Sequence, residues 1–190
     1  MFKFNPEDVK NVMAGSMISD ALRNYKYVTG ALFHQEISAD YTFQKAYCEL
    51  YNLGDDYPEE FKTKFFRLLE NMKKKSDISF RDAFEELLSF GGKNEMAVSS
   101  ILVHTINPRF AIWDDKAAVD FFDMEIPKDG DSVERCCKLY EDFSDNFYAY
   151  ANSAEGAQLV KAFDERFPSA DIPDVIKVAF LLWQLECLAN

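Results

Sequence analysis

Asp114 closes a stretch that brings unlike chemistries together: GGKNEMAVSSILVHTINPRFAIWDD, Gly91 to Asp115, holds a glycine pair, an apolar segment, an Asn-Pro break and a tryptophan beside two aspartates. A carboxylate in such a setting can stabilise positive charge that develops on a reacting group. Gly91 and Gly92 allow close approach of backbone to a phosphate, with Lys93 and Arg109 as nearby cations. Trp113 can stack on a base taken out of a duplex, and His104 can line the pocket that receives it. Each residue also has a plainer role. An aspartate before a helix is a common N-cap, a histidine on a buried helix is usually a hydrogen-bonded core group, and tryptophan packs readily in cores.

Other chemistries are not indicated. His34 and His104 are the only histidines, and no carboxylate or cysteine stands at ligand spacing from either, so no metal site is expected. No P-loop, Gly-x-Ser-x-Gly or dinucleotide fingerprint occurs, and no cofactor is expected. The four cysteines, Cys48, Cys136, Cys137 and Cys187, form no Cys-x-x-Cys pair and read as reduced thiols of a cytoplasmic protein.

These residues must be positioned by helices. Phe61, Phe65, Leu68, Leu69 and Met72 recur at spacings of three and four after Pro58, taken as a first helical residue. A second helix follows Ser79 as N-cap and ends at Gly91 and Gly92. The segment from Glu95 to Ile106 is apolar around most of its circumference, which predicts a fully surrounded helix; Asn107-Pro108 stops it. Asp114 or Asp115 is placed to cap the next helix. A long helix begins near Asp131, with Glu134 completing a capping-box-like pair. Two more run from about Ser153 to Arg166 and after Pro173. Upstream helices fall at about Glu7 to Ala14, Met17 to Val28 and Tyr41 to Leu53. Only "ALFHQEIS" tolerates an extended reading. The expectation is an all-α globule of eight or nine helices over residues 1–190, one domain or two closely packed lobes, with a helical hairpin over about 79–106 at its centre.

Charge bears on partners. The net charge is -12, which opposes general nucleic-acid affinity. Residues 1–113 carry 14 basic against 16 acidic groups, whereas 114–190 carry 7 against 17. A locally basic face thus remains open in the first part. Lys73, Lys74 and Lys75 either end a helix as solvated cations or join Arg81, Lys93 and Arg109 in contacting phosphates. The longest strongly apolar run, Val178 to Trp183, is far short of the ~20 residues a membrane span needs. The N-terminal MFKFNPEDVK lacks an apolar signal-peptide core.

The pattern E-x-x-x-S-S-x-L-x-x-T-I-N-P followed by I-W-D, from Glu95 to Asp114, resembles a bacterial family of mostly unassigned role whose motif reads roughly S-K-L-L-A-T-I-N-P-x-x-P-I-W-D. Weaker similarity lies in FQKAYCELYNL and around Tyr140. That family resembles the helix-hairpin-helix DNA glycosylases. The resemblance implies that fold, and it implies that Asp114 is the catalytic aspartate that stabilises the sugar cation as a base leaves. It puts Gly91, Gly92, Lys93 and Arg109 on the DNA, with His104 and Trp113 in the pocket. Ile101 stands where the family has its lysine, so lysine-dependent lyase chemistry is not expected; Lys93 is the remaining candidate amine. The turn GGKNE also lacks the Leu-Pro-Gly-Val-Gly form of the superfamily.

Three functions follow. The first is a monofunctional N-glycosylase acting on double-stranded DNA with a damaged base. The second is a non-catalytic interaction or regulatory protein that keeps the fold, suggested by Ile101 and by the acidic C-terminal part. The third is an enzyme acting on a free nucleoside or small glycoside, which needs the pocket but no basic groove.

Overall fold

Side-chain caps mark where the amphipathic segments become helices. The computed structural model describes residues 6–54, 57–91 and 95–188, with the side chains of 6, 91 and 184–188 left aside. Ten helices occupy them: α1 (Pro6–Ala14), α2 (Met17–Ala31), α3 (Tyr41–Tyr51), α4 (Glu59–Met72), α5 (Phe80–Gly91), α6 (Met96–Ile106), α7 (Asp115–Asp120), α8 (Val133–Ala151), α9 (Ala154–Arg166) and α10 (Asp174–Leu188). The fold is all-α, with ten helices where eight or nine were expected, and no strand occurs among the described residues.

Most starts follow the cap chemistry. Asp40 accepts the Phe43 N–H at 3.0 Å ahead of α3. Ser79 accepts the Asp82 N–H at 3.1 Å and donates to the Asp82 carboxylate at 2.7 Å ahead of α5. Ser153 accepts the Gly156 N–H at 3.2 Å ahead of α9. Three readings are corrected. Pro58 is the N-cap of α4 rather than its first residue. The cap of α8 is Ser132, which accepts the Arg135 N–H at 3.2 Å, while Asp131 accepts the Lys128 N–H and pairs with Arg135. ALFHQEIS is not extended: α2 runs through Ala31 and a turn follows, because Leu32 and Ile37 both enter the core.

One apolar cluster draws on all ten helices. Within α6 every residue from Val98 to Thr105 is buried, as its uniform apolarity predicts. The α5 helix packs on α6 and α8, and α2 packs on α3. The α10 helix meets α1, α2, α7, α8 and α9, so a second apolar helix shares the centre with α6. Stacked rings join α5 to α8, with Phe80 and Tyr140 centroids 3.8 Å apart at 11°. The corner between α8 and α9 is so tight that a Cβ on Gly156 would lie 2.4 Å from the Ala151 carbonyl oxygen. Only glycine fits there without a backbone shift. Among the described residues no helix is long and apolar enough to cross a membrane.

Candidate functional site

The connection between α6 and α7, residues 107–114, is fixed by its own backbone groups. Ser100 Oγ accepts the Trp113 N–H at 2.8 Å and donates to the Ala97 carbonyl at 2.7 Å. His104 Nδ1 lies 2.7 Å from the Phe110 carbonyl oxygen. Tyr140 donates to the Ala111 carbonyl at 2.8 Å, and Tyr148 donates to that of Arg109. Two helices therefore hold four backbone positions of one short segment, 109, 110, 111 and 113, satisfying groups that would otherwise cost free energy when buried. Ser100 and Trp113 of the motif are thereby given structural work.

The segment delivers Asp114 to a cavity of about 270 Å³. Its Oδ1 accepts the Ala117 N–H at 2.8 Å as the cap of α7, and its Oδ2 makes no hydrogen bond with the described residues. Capping and cavity-lining are thus both true of this one carboxylate. Walls come from α2, α3, α6, α7, α8 and α10, and Asp114 is the one charged group among the described residues that line them. The volume lies near the lower end of ligand sites, roughly 300 Å³, which suits one ring system. Ile101 and His104 present α6 to the same space, and Trp113 lies beside Asp114. Trp113 is buried, its indole N–H donates to Asp115 at 2.6 Å, and its ring packs 4.9 Å from Phe143.

Two residues that line the cavity, His104 and Tyr51, each hold a buried polar atom without a hydrogen-bond partner among the described residues. A carbonyl oxygen only accepts, so His104 Nδ1 carries the hydrogen and the buried Nε2 carries the lone pair. Burial, partly offset by the Phe110 carbonyl, pushes the His104 pKa down to about 4. The ring is therefore neutral near pH 7, an acceptor and not an acid. The Tyr51 hydroxyl is also buried, beside the Thr105 hydroxyl but without a well-formed hydrogen bond among the described residues, and burial pushes its pKa up against the opposing pull of Thr105. Nearby Thr105 is already engaged, donating to the Ile101 carbonyl at 2.8 Å and bonding the Tyr47 hydroxyl at 3.0 Å.

The structure brings Asp114, His104 and Trp113 to one cavity. Gly91 is the last residue of α5. Gly92 and Lys93 lie outside the described residues. Arg109 is exposed in the connection, away from the cavity lining. Two lysines of the proposed phosphate face have other work: the Lys73 side chain is buried against Glu70 at 2.7 Å and donates to the Leu32 and Gln35 carbonyls, and Lys74 pairs with Glu70 at 2.8 Å. Arg81 pairs with Glu85 and Glu134, both at 3.3 Å. Among the described residues no group of three or more His, Cys, Asp or Glu side chains is arranged to hold a metal. Tyr51 and the α10 side chains Phe180 and Trp183 line the cavity without having been foreseen; FQKAYCELYNL, which contains Tyr51, was the one local signal.

No protein-family model matches the chain, and comparison with curated proteins and with solved structures finds no match either.

Proposed function

We propose that the chain is a DNA-glycosylase-like protein, a monofunctional N-glycosylase whose cavity takes an extruded damaged base while Asp114 stabilises the sugar cation. The observation that carries the reading is the position of Asp114: among the described residues it is the one carboxylate on a wall of aromatic and aliphatic side chains, with one oxygen fixed by the Ala117 N–H and the other making no hydrogen bond with them. In such a low-dielectric site a fixed carboxylate stabilises developing positive charge far more than it would in water. Water attacks the sugar and the base leaves. Ile101, apolar and buried at 6% exposure, lines the same wall and supplies no amine for a covalent intermediate.

The test is base release from duplexes that each carry one damaged base. Wild type should release at least one base, and Asp114→Asn should slow that release by about 10²–10³-fold while the fold is retained, because asparagine also caps helices. No release and no low-salt binding to an abasic-site-analogue duplex would end the reading. Gly92→Glu tests the turn separately, since an added carboxylate there should abolish duplex binding.

A second reading is favoured by the engaged cations. Of the six cations proposed for the phosphate face, Lys73, Lys74 and Arg81 are already held by carboxylates. A protein using the cavity on a free nucleoside, or binding without catalysis, needs no such groove. Salt dependence separates the two: each phosphate contacted steepens the fall of log K with log salt by about 0.9.

A further inference from the structure

The aromatic side chains of the cavity have a use that needs no DNA. Tyr25, Phe143, Phe147, Phe180 and Trp183 line it from α2, α8 and α10. Their rings are set across one another rather than in one plane. Tyr25 and Phe180 meet edge-on at 90° with centroids 5.6 Å apart, and Phe143 lies 4.9 Å from the Trp113 ring at 49°. A space walled by crossed rings offers a guest electron-rich faces from more than one direction. Two polar atoms of the wall are closed off, since His104 Nε2 and the Tyr51 hydroxyl are buried within it. Asp114 differs. It is half-buried, and its Oδ2 makes no hydrogen bond with the described residues yet is not shut in like those two atoms. Its Oδ1 is pinned by the Ala117 N–H at 2.8 Å, so the charge has a fixed place.

We propose that this cavity binds a small organic cation, an alkylated ammonium group whose methyls lie against the rings while its charge faces Asp114. Each property of the guest answers one of the wall. A carboxylate partly removed from water favours a positive partner and repels an anion. Aromatic faces attract a cation through the ring quadrupole, most strongly where water is displaced. Alkylation decides between cations: a primary ammonium carries three N–H donors that each need an acceptor, whereas a quaternary nitrogen needs none and presents only methyl surface. The volume of about 270 Å³ suits such a head group. The inference shares its cavity with the glycosylase reading but requires neither a duplex nor a broken bond.

Choline is the probe, and its uncharged carbon isostere, in which a quaternary carbon replaces the nitrogen, controls for shape. In calorimetric titration choline should bind, and the isostere should bind about tenfold more weakly or worse. The choline N-methyl proton resonance should move upfield in the complex, as protons over ring faces do. Asp114→Asn, which keeps a capping side chain for α7, should weaken choline about tenfold and the isostere not at all. Ala97→Trp, at an exposed position on the cavity rim, should abolish binding of both. No choline binding, equal affinity for choline and its isostere, an unmoved methyl resonance, or choline affinity indifferent to either variant overturns the inference. The wild-type comparison of the two compounds stands even if a variant fails to fold. The two proposals fail separately. Charge-dependent choline binding without base release from any duplex removes the glycosylase reading alone; Asp114-dependent release with no choline binding removes this one alone.

Discussion

Two buried polar clusters in this chain are built in opposite ways. At the end of α4, Glu70 is 6% exposed and fully engaged: it accepts from Lys73, Lys74 and the Ile37 N–H at 2.7, 2.8 and 3.0 Å. Lys73 in turn places its ammonium on the Leu32 and Gln35 carbonyls as well. Around the cavity, by contrast, His104 Nε2 and the Tyr51 hydroxyl lack a hydrogen-bond partner among the described residues, and Asp114 keeps one oxygen unbonded to them. The first cluster fastens the turn after α2 to α4, and its bonds close on themselves. The second is half closed: His104 is anchored through Nδ1 and Asp114 through Oδ1, and each leaves its other polar atom without a partner among those residues. Buried groups that serve the fold end up satisfied; groups held in place yet unsatisfied are where a ligand is expected.

The largest effect should come from breaking the closed cluster. Glu70→Gln leaves the buried Lys73 ammonium uncompensated and should cost about 3–5 kcal/mol in urea unfolding. A cost below about 1 kcal/mol would show that the cluster is solvated and erase the contrast.

Acid should then separate the clusters by window. Burial alone would raise the Glu70 pKa, but the two lysines and the Ile37 N–H outweigh it and bring it down to about 2. Its stabilisation is present above the unfolded value near 4.5 and is lost as pH falls toward 2. His104 acts earlier. The unfolded chain takes up its proton near 6.5, whereas the folded ring resists until about 4, so stability rises with pH across that window. Each shift corresponds to about 3 kcal/mol at full development. Wild type should lose stability in two stages, and His104→Gln, which keeps a donor for the Phe110 carbonyl, should flatten only the upper one. A single stage below pH 4.5 would contradict this account of His104.

Much of the frame was legible in the sequence. Ser79, Ser153 and Asp114 start their helices where cap chemistry puts them, and the all-round apolarity of Glu95 to Ile106 correctly reads as burial. What was not legible depends on distant partners. The role of Lys73 is set by carbonyls 38 and 41 residues away, so its Lys-Lys-Lys run looks like a solvated terminus. Aspartate and serine compete for the start of α8, and one-residue differences between Asp131 and Ser132 carry no periodic signal. The cavity arises where α2, α3, α6, α8 and α10 fail to fill their common centre, and no local spacing reports a gap. Asp114, His104 and Trp113 were readable as a group because one segment carries all three; Tyr51, Phe180 and Trp183 were not, because two other helices, α3 and α10, bring them in.

Smaller effects sharpen the comparison further. Ser100→Ala leaves the buried Trp113 N–H without its acceptor and should cost about 1–3 kcal/mol, and under the proposed function base release should fall as Asp114 loses its position. Tyr140→Phe removes only the hydroxyl bonded to the Ala111 carbonyl and should cost about 1 kcal/mol. Asp114→Asn should be the mildest of all in thermal unfolding, within about 0.5 kcal/mol of wild type, because the Ala117 N–H keeps a side-chain oxygen. A large loss there would make Asp114 a structural cap first.

The most direct measurement is the ¹⁵N spectrum of the two histidines from pH 8 to pH 4. The open cluster requires His104 to remain a neutral ring with hydrogen on Nδ1 and a lone pair on Nε2 until the pH approaches about 4. Protonation of His104 near 6.5, or hydrogen on Nε2 at neutral pH, would show that the α6–α7 connection does not fix the ring.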